Sequence, residues 1–225
     1  MIIRKYGIVL TRLKEVDIEL VRQMRNTEEI RKYMHYRDEI SSEMQKKWFV
    51  SVNNGVNYYY IISHNGKKIG LIHGKNNDFE KGFCEGGIFI WDKVYIGTII
   101  PSLASVILND FTFVTFQALS TVYAKVVEGN KSAFEYNKLM GYEPCQPLNN
   151  DKEVIWMKLT AENYLIHIRH LRKGIAKLTG DDTSLSPEEI DFSDDSAEDI
   201  RILYSNLPKA LQGLKSRIIQ SGHQV

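Results

Sequence analysis

The stretch TVYAKVVEGNKSAFEYNKLMGY, Thr121–Tyr142, decides the fold of this 225-residue chain. Its first half carries apolar side chains at every second position, which predicts a strand. Gly129-Asn130 interrupts that strand, and residues 131–140 are predicted to form a short helix that Gly141 ends. A strand that leads directly into a helix is a βα unit, and such units favour a sheet that is parallel at least in part.

The rest of the first 160 residues supplies strands and helices in a regular order. Asn65-Gly66 is the strongest hairpin signal, because both residues tolerate the positive φ angles of a type I′ turn. Gly86-Gly87 is expected to weaken or bulge the strand that contains it. The predicted elements are strands at 7–13, 58–64, 67–74, 83–91 and 154–159, and helices at 17–26, 27–34, after Ser42, and at about 98–117 with Thr98 as its N-cap.

The spacing around the βα unit resembles a known family. Asn130, the small residue Ala133 and the pair Gly141-Tyr142 are similar to the Asn-x-x-Ala…Gly-Phe signature of GNAT acyl-CoA-dependent N-acetyltransferases. The resemblance covers about two-thirds of the chain and implies an α+β fold: a central mixed, mostly antiparallel sheet flanked by helices. It also implies an enzyme that uses acetyl-CoA as co-substrate and needs no metal. The alternative is an ordinary βα turn with a glycine-capped helix.

In the resembled family, a loop followed by a helix N-terminus holds the coenzyme A pyrophosphate, because free amides and the helix dipole favour an anion. The matching segment here is 93–98, in which only one glycine of the family pattern survives and a lysine stands in for the usual basic residue. A plain connection that binds nothing is the alternative. The resemblance assigns these residues to coenzyme binding: Phe89, Ile90, Lys93, Gly97, Thr98, Asn130, Ala133 and Asn137.

An amine that attacks a thioester must lose a proton, and a carboxylate near the cleft is able to accept it. The resemblance makes Glu85 the candidate base, with a solvent-facing strand residue as the alternative. Tyr136 is the candidate acid, although it lies one position from the family's usual tyrosine site, which is Asn137 here. Cys84 is predicted to be a core residue rather than a nucleophile. The six histidines show no triad or metal spacing and are assigned no role.

A set of N-terminal residues resembles the start of the family branch that contains ribosomal-protein and amino-sugar-nucleotide N-acetyltransferases: Leu10, Leu13, Asp17, Arg25-Asn26, Ile30-Arg31, Met34, Ile40-Ser41 and Trp48-Phe49. In that branch the first helices and their loop form a wall of the acceptor pocket, which makes Tyr33, His35, Tyr36 and Arg37 candidate lining. We predict a small-molecule amine acceptor, a nucleotide-linked amino sugar, ahead of a protein α-amine. A non-catalytic acyl-CoA-binding module and an interaction protein that acts through its tail are the alternatives from other classes.

Composition limits the remaining classes. The net charge of +1 gives no general attraction to nucleic acid, and no apolar stretch approaches the length of a membrane span. Two cysteines argue against a disulfide framework and suit a reducing, cytoplasmic setting. No Cys/His cluster has metal-ligand spacing.

The chain divides on this reading into a catalytic domain, residues 1–160, and a helical extension, residues 161–225. Residues 161–178 form an amphipathic helix, and the acidic segment at 180–199 is predicted to be a solvated linker. A second helix follows, capped by Ser196, with near-heptad apolar spacing that Pro208 interrupts. The apolar stripe of the first extension helix is predicted to consist of Leu165, Ile168, Leu171, Ile175 and Leu178, and that of the second of Ile200, Leu203, Leu207, Leu211, Leu214 and Ile218. Such stripes must be covered, either by residues 1–160 of the same chain or by a second copy of the protein. We predict the second case, a homodimer to which these helices contribute.

Overall fold

A single sheet of nine strands runs through the computed structural model, which describes residues 1–147 and 153–206. Their order across the sheet is β7-β8-β6-β5-β4-β3-β2-β1-β9, numbered along the chain. Within the described residues every neighbouring pair is antiparallel except β5 and β6. The predicted α+β class with a mixed, mostly antiparallel sheet is confirmed. The strands are β1 (Ile2–Lys5), β2 (Ile8–Arg12), β3 (Tyr58–His64), β4 (Lys67–Asp78), β5 (Phe83–Ile90), β6 (Thr121–Val127), β7 (Glu143–Pro144), β8 (Val154–Thr160) and β9 (Ile190–Asp191).

Helices cover both faces of the sheet. Ile18, Val21 and Phe49 from α1 and α3 pack on one face, and α4, α5 and α6 contribute side chains to the larger core on the other. We call these the α1/α3 face and the α4/α6 face. The described helices are α1 (Ile18–Asn26), α2 (Glu28–Arg31), α3 (Ser42–Val52), α4 (Ile100–Asp110), α5 (Lys131–Leu139), α6 (Ala161–Thr179) and α7 (Ala197–Ser205).

Two tight turns set the register of the first four strands. The predicted turn at Asn65-Gly66 is present, with φ angles of 49° and 75°. A second turn of the same kind, Tyr6-Gly7 with φ angles of 53° and 75°, joins β1 to β2. The sequence analysis did not predict β1, because an aromatic residue with positive φ is an uncommon turn signal.

The strongly apolar helix after β5 differs from its prediction. It begins at Ile100 rather than at Thr98, and after Asp110 it widens into a π-helical turn, Phe111–Thr115. Both sides of this turn are buried, since Phe111 packs near Tyr58 of β3 and Phe113 near Tyr164 of α6.

Helix α6 is held to the core by a buried ion pair. Arg172 Nη2 lies 2.6 and 2.7 Å from the two carboxylate oxygens of Asp110, which is fully buried. Tyr164 and the amide of Leu185 also donate to this carboxylate, at 2.6 and 3.0 Å. The pair rotates the helix away from the predicted apolar stripe, so that Arg172 points inward.

The predicted stripe of α6 is therefore only partly correct. Ile168 and Ile175 are buried as expected, but Leu165 and Leu178 are 45% and 67% exposed. Tyr164, which the prediction omitted, is fully buried instead. The buried Asp110 carboxylate requires a cation beside it, and leaving it unpaired would cost more free energy than exposing Leu165 and Leu178 does.

The prediction of a solvated linker at 180–199 is wrong. Leu185, Ile190 and Phe192 are buried in the main core, and Ile190–Asp191 pairs with β1 as the edge strand β9. Apolar residues placed between the acidic ones give the segment a face to bury.

The acidic residues of this segment match basic residues of the β1–β2 hairpin. Lys5 Nζ lies 2.9 Å from both Asp181 and Glu189, and Arg12 lies 3.0 Å from the buried Asp195. The segment is thus a charge-complementary strap over the hairpin, and it packs the start of the extension onto residues 1–160. The division of the chain into domains 1–160 and 161–225 stays a prediction.

Helix α7 begins as predicted, with Ser196 accepting a hydrogen bond from the amide of Asp199 at 3.1 Å. Ile200 and Leu203 of its predicted stripe are buried. The later part of that stripe (Leu207, Leu211, Leu214 and Ile218, with Pro208 between them) lies outside the described residues. The homodimer stays a prediction.

Replacing Arg172 with Ala should leave the buried Asp110 carboxylate without its cation. We expect the free energy of unfolding to fall by about 3–5 kcal/mol, measured by urea denaturation. Arg169→Ala is the matched control, because Arg169 is exposed on the same helix and its loss should cost about 0.5 kcal/mol or less. A loss below about 1 kcal/mol for Arg172→Ala would mean that the pair behaves like a surface ion pair.

Candidate active site

The two parallel strands at the centre of the sheet separate before they end. β5 pairs with β6 only from Phe83↔Thr121 to Gly86↔Ala124. Beyond these pairs, β5 continues against β4 as far as Ile90, and β6 continues against β8 as far as Val127. We call the gap between residues 87–90 and 125–127 the split. It lies at the carboxyl ends of the two strands, where open sheets bind ligands.

Two helices begin at the open end of the split. β5 leads through a loop into α4, and β6 leads through Gly129-Asn130 into α5. The first amides of a helix have no partners within the helix, and the helix dipole adds partial positive charge. An anionic group is therefore favoured at this end, beside strand edges whose backbone groups are open to an extended ligand.

The predicted coenzyme residues mostly lie around this opening. Phe89 and Ile90 are on the β5 edge of the split. Asn130 caps α5 by accepting a hydrogen bond from the amide of Ala133 at 3.1 Å. Asn137 donates to the carbonyl of Ala133 at 3.0 Å, so its amide group is engaged within its own helix.

The loop before α4 contains a glycine with positive φ, and its lysine forms an ion pair with a glutamate. Gly97 has a φ of 79°, which a residue with a side chain rarely adopts. Thr98 is not the N-cap; its hydroxyl donates to Tyr95 at 2.8 Å and shapes the loop. Lys93 pairs with Glu29 of α2 at 2.9 Å, so it joins this loop to α2.

The two glycines of β5 do not form the predicted bulge. Pairing with β4 runs without a shift from Gly70↔Ile90 to Lys75↔Glu85, and the irregularity lies between Lys75 and Asp78. Each glycine instead admits a close neighbour on one face of the sheet. A Cβ atom at Gly86 would lie 2.7 Å from Cγ1 of Val122, and one at Gly87 would lie 2.6 Å from Cε1 of His73.

Glu85 lies on the α1/α3 face, at the closed end of the split. Its carboxylate is 3.5 Å from Lys75 Nζ and 3.3 Å from Lys125 Nζ, and it accepts a hydrogen bond from Asn76 at 3.1 Å. Burial alone would raise the pKa of the Glu85 carboxyl, but Lys75 and Lys125 outweigh it and hold this pKa below its usual value. The carboxylate is therefore ionised, and its role as general base stays a prediction.

The other candidate reactive groups are committed to the core. The Tyr136 hydroxyl donates to the carbonyl of Pro101 at 3.0 Å and lies 2.7 Å from Ser105 Oγ, and burial raises its pKa to about 12. It ties α5 to α4, and service as an acid would require it to leave both partners. Burial, with a smaller effect of Glu85, also raises the pKa of the Cys84 thiol to about 12, in agreement with a core cysteine.

The predicted acceptor lining lies on the surface after α2. Tyr33 and Tyr36 are 50% and 44% exposed, and His35 and Arg37 are exposed as well. The Lys93–Glu29 ion pair places α2 beside the loop that follows β5. The role of residues 33–37 in acceptor binding stays a prediction.

The structure places further residues beside Glu85 on the α1/α3 face, which the sequence analysis did not identify. His73 stacks on Tyr59, with ring centroids 4.8 Å apart, and covers Gly87. Lys125 lies over the ring of Trp156 at 4.4 Å. A histidine on a strand gives no signal of its neighbours until the register of β3, β4 and β5 is known.

Comparison with known proteins identifies the family. The profile of the acetyltransferase (GNAT) domain matches residues 8–143, more than half of the chain. The chain belongs to the GNAT acetyltransferase family. Within the described residues this acetyltransferase has no helix suited to crossing a membrane and no cluster of three or more side chains that would hold a metal ion.

Solved GNAT structures share its fold at low sequence identity. Spermidine N-acetyltransferase from Vibrio cholerae, in complex with CoA and spermine, is 16% identical with a TM-score of 0.62, over 72% of this chain and 99% of that one. An aminoglycoside acetyltransferase with coenzyme A is 15% identical, with a TM-score of 0.59 over 71% and 98%. FdhC, a nucleotide-linked sugar GNAT, is 17% identical, with a TM-score of 0.62 over 80% and 99%. No curated protein matches the sequence significantly.

Gly86→Ala should destabilise this acetyltransferase, because the new methyl group would press on Val122 and on the buried Tyr142 hydroxyl. We expect a loss of about 1–3 kcal/mol in the free energy of unfolding. Gly174→Ala is the control; it lies in α6 with no atom near the added methyl group, and should stabilise by about 0.5–1 kcal/mol. Equal effects of the two substitutions, measured by urea denaturation, would contradict the close contact at Gly86.

Proposed function

We propose that this GNAT enzyme transfers the acetyl group of acetyl-CoA to the primary amine of a nucleotide-linked amino sugar. The observation that carries the proposal is the pair of lysines, Lys75 and Lys125, beside the closed end of the split on the face of the candidate acceptor site. Family membership supplies the reaction class, and this charge pattern supplies the acceptor class.

The donor side of the proposal rests on the split and its two helix N-termini. The edges of β5 and β6 offer backbone groups to an extended arm, and the starts of α4 and α5 favour its phosphates. The residues that would hold the coenzyme are those around Gly97 and Asn130, with Phe89 and Ile90 on the strand edge. When bound there, acetyl-CoA supplies the activated acetyl group. The chain's own contribution is to align the acceptor amine with it from the α1/α3 face.

The acceptor side rests on charge. Two ammonium groups flank a single carboxylate at Glu85, so this cluster has an excess of positive charge. A polyamine or an aminoglycoside is a polycation and would be repelled by it, whereas the phosphates of a nucleotide-linked sugar would be attracted. The exposed tyrosines after α2 offer rings on which a sugar or base is able to stack.

FdhC shares the fold of this chain over more of its length than the spermidine enzyme does. That nucleotide-linked sugar GNAT aligns with 80% of this chain, whereas the spermidine enzyme aligns with 72%. The longer alignment takes in part of the extension, which in this chain packs behind the catalytic sheet. At 17% identity the comparison supports the fold, and the acceptor remains our proposal.

The donor site is tested by Gly97→Val. A β-branched residue is strained at a φ of 79°, so the loop should change conformation and coenzyme A should bind about tenfold or more weakly by calorimetry. Gly180→Val is the matched control, since Gly180 has a φ of 76° but ends α6. Equal affinities of the Gly97 variant and the wild type would exclude this loop from the coenzyme site. A wild-type protein that does not bind coenzyme A at millimolar concentration would refute the donor assignment.

The acceptor class is tested by Lys125→Met with a panel of amines. With UDP-glucosamine as acceptor we expect kcat/KM to fall about 10- to 100-fold, since a charge-assisted contact to a phosphate is lost. With spermidine it should stay the same or rise. Lys173→Ala, an exposed change on α6, should alter neither. Wild-type enzyme that prefers spermidine or an N-terminal peptide over every nucleotide-linked amino sugar would overturn the proposed acceptor.

A further inference from the structure

One row of residues crosses the sheet and ends at the split. Tyr59 of β3 lies opposite His73 of β4, and His73 lies opposite Gly87 of β5. The next residue in the row would belong to β6, but the pairing of β5 and β6 ends one step earlier, at Gly86↔Ala124. Gly87 is therefore the first residue of β5 that faces the split.

The imidazole of His73 reaches across Gly87 toward this opening. A Cβ atom at residue 87 would lie 2.6 Å from Cε1 and 2.9 Å from Nε2 of the ring, closer than real contacts allow. The ring takes the space that any side chain at position 87 would occupy. Its other side stacks on Tyr59 at an interplanar angle of 28°, which fixes its plane.

The His73 ring is polar and only partly exposed, and one of its nitrogens lacks a hydrogen-bond partner. Nδ1 of His73 is buried and has no hydrogen-bond partner among residues 1–147 and 153–206. A buried polar atom without a partner costs free energy, so native proteins retain one mainly where a ligand or water completes it. The charged groups that influence the ring are Lys75 and Glu85, both on the same face.

We propose that the His73 imidazole contacts the acceptor amine at the split and accepts a hydrogen bond from one of its N–H groups. This contact leaves the lone pair of the amine free to face the acetyl group. The inference rests on the proposed acetyl transfer and adds a substrate-contacting residue to it. Glycine at position 87 is part of the same arrangement, because a side chain there would occupy the space between the His73 ring and the split.

The protonation state of the ring suits this role. Burial, assisted by Lys75, lowers the pKa of His73 to about 3, so the imidazole is neutral at any pH at which the enzyme would work. A neutral imidazole has one lone pair to offer and does not repel an amine. The contribution of His73 should accordingly be constant with pH over the neutral range.

The first test compares His73→Phe with His73→Gln in the full chain, with acetyl-CoA and UDP-glucosamine. Phe keeps an aromatic ring beside Tyr59 but accepts no hydrogen bond, whereas Gln offers an amide oxygen. We expect kcat/KM for the amine to fall about 10- to 100-fold in His73→Phe, by the same factor from pH 6 to 9, with an unchanged KM for acetyl-CoA. His73→Gln should retain more activity than His73→Phe. Full activity of His73→Phe, or an equal loss of acetyl-CoA affinity, would overturn the proposal.

The second test uses Gly87→Ala to ask whether the position of the His73 ring beside the split matters for activity. Alone, it should displace the imidazole and reduce kcat/KM to about the level of His73→Phe. In a His73→Ala background the same methyl group should have little further effect, because the two changes act through one contact. Additive losses in the double variant would show that Gly87 acts without His73.

A binding measurement separates failure of this inference from failure of the proposed function. In protein labelled with ¹⁵N-histidine, coenzyme A and UDP-glucosamine together should shift the His73 ring nitrogen resonance, and coenzyme A alone should not. If no amine is acetylated but this shift appears, the proposed reaction fails and the contact stands. If calorimetry shows the amine bound while the His73 resonance is unmoved, the contact is refuted whatever the activity.

Discussion

The early end of the pairing between β5 and β6 is the constraint on which the rest of the structure depends. The two parallel strands share only four residue pairs, so beyond these pairs each strand is held only by hydrogen bonds on its outer side, and its inward-facing backbone groups stay open to the split. β4 supplies these outer hydrogen bonds for β5, and β8 supplies them for β6. The two edges of the split are therefore held apart by strands rather than by loops. A ligand site built in this way is largely formed before its ligand arrives, which lowers the ordering cost of binding.

The scaffold behind the split depends on charges that are buried in pairs. Asp110 at the end of α4 and Arg172 in the middle of α6 join the helix that starts at the split to the extension. The acidic strap forms similar ion pairs at the sheet edge, where its carboxylates bind Lys5 and Arg12. Breaking either set would leave uncompensated charge in a poorly solvated place, so the described part of the extension, residues 161–206, is fixed to the sheet rather than loosely tethered.

The two faces of the sheet carry different residues beside the split. On the α4/α6 face Gly86 admits Val122 and Tyr142, which pack the helices that begin at the split. On the α1/α3 face Gly87 admits the His73 ring, and Glu85 sits between two lysines. Two adjacent glycines thus serve opposite faces, as the alternation of a strand requires. The α4/α6 face holds the split in place, and the α1/α3 face carries the residues that we propose for the acceptor amine.

The sequence by itself determined what local patterns encode. The βα unit was predicted from the alternation in 121–127, the Asn130 cap and Gly141. The hairpin between β3 and β4 was predicted from Asn65-Gly66. Each of these signals acts within a few residues of the chain. Element order and the Asn130…Gly141 spacing then led to the family. The tertiary structure decided everything that depends on register and on distant charges. The direction of Arg172, the docking of residues 180–199 on β1 and the row from Tyr59 through His73 to Gly87 each join segments far apart in the chain. A strand residue acquires its neighbours only when the sheet forms, and a buried charge acquires its partner only when two elements pack, so neither is written in any single stretch of sequence.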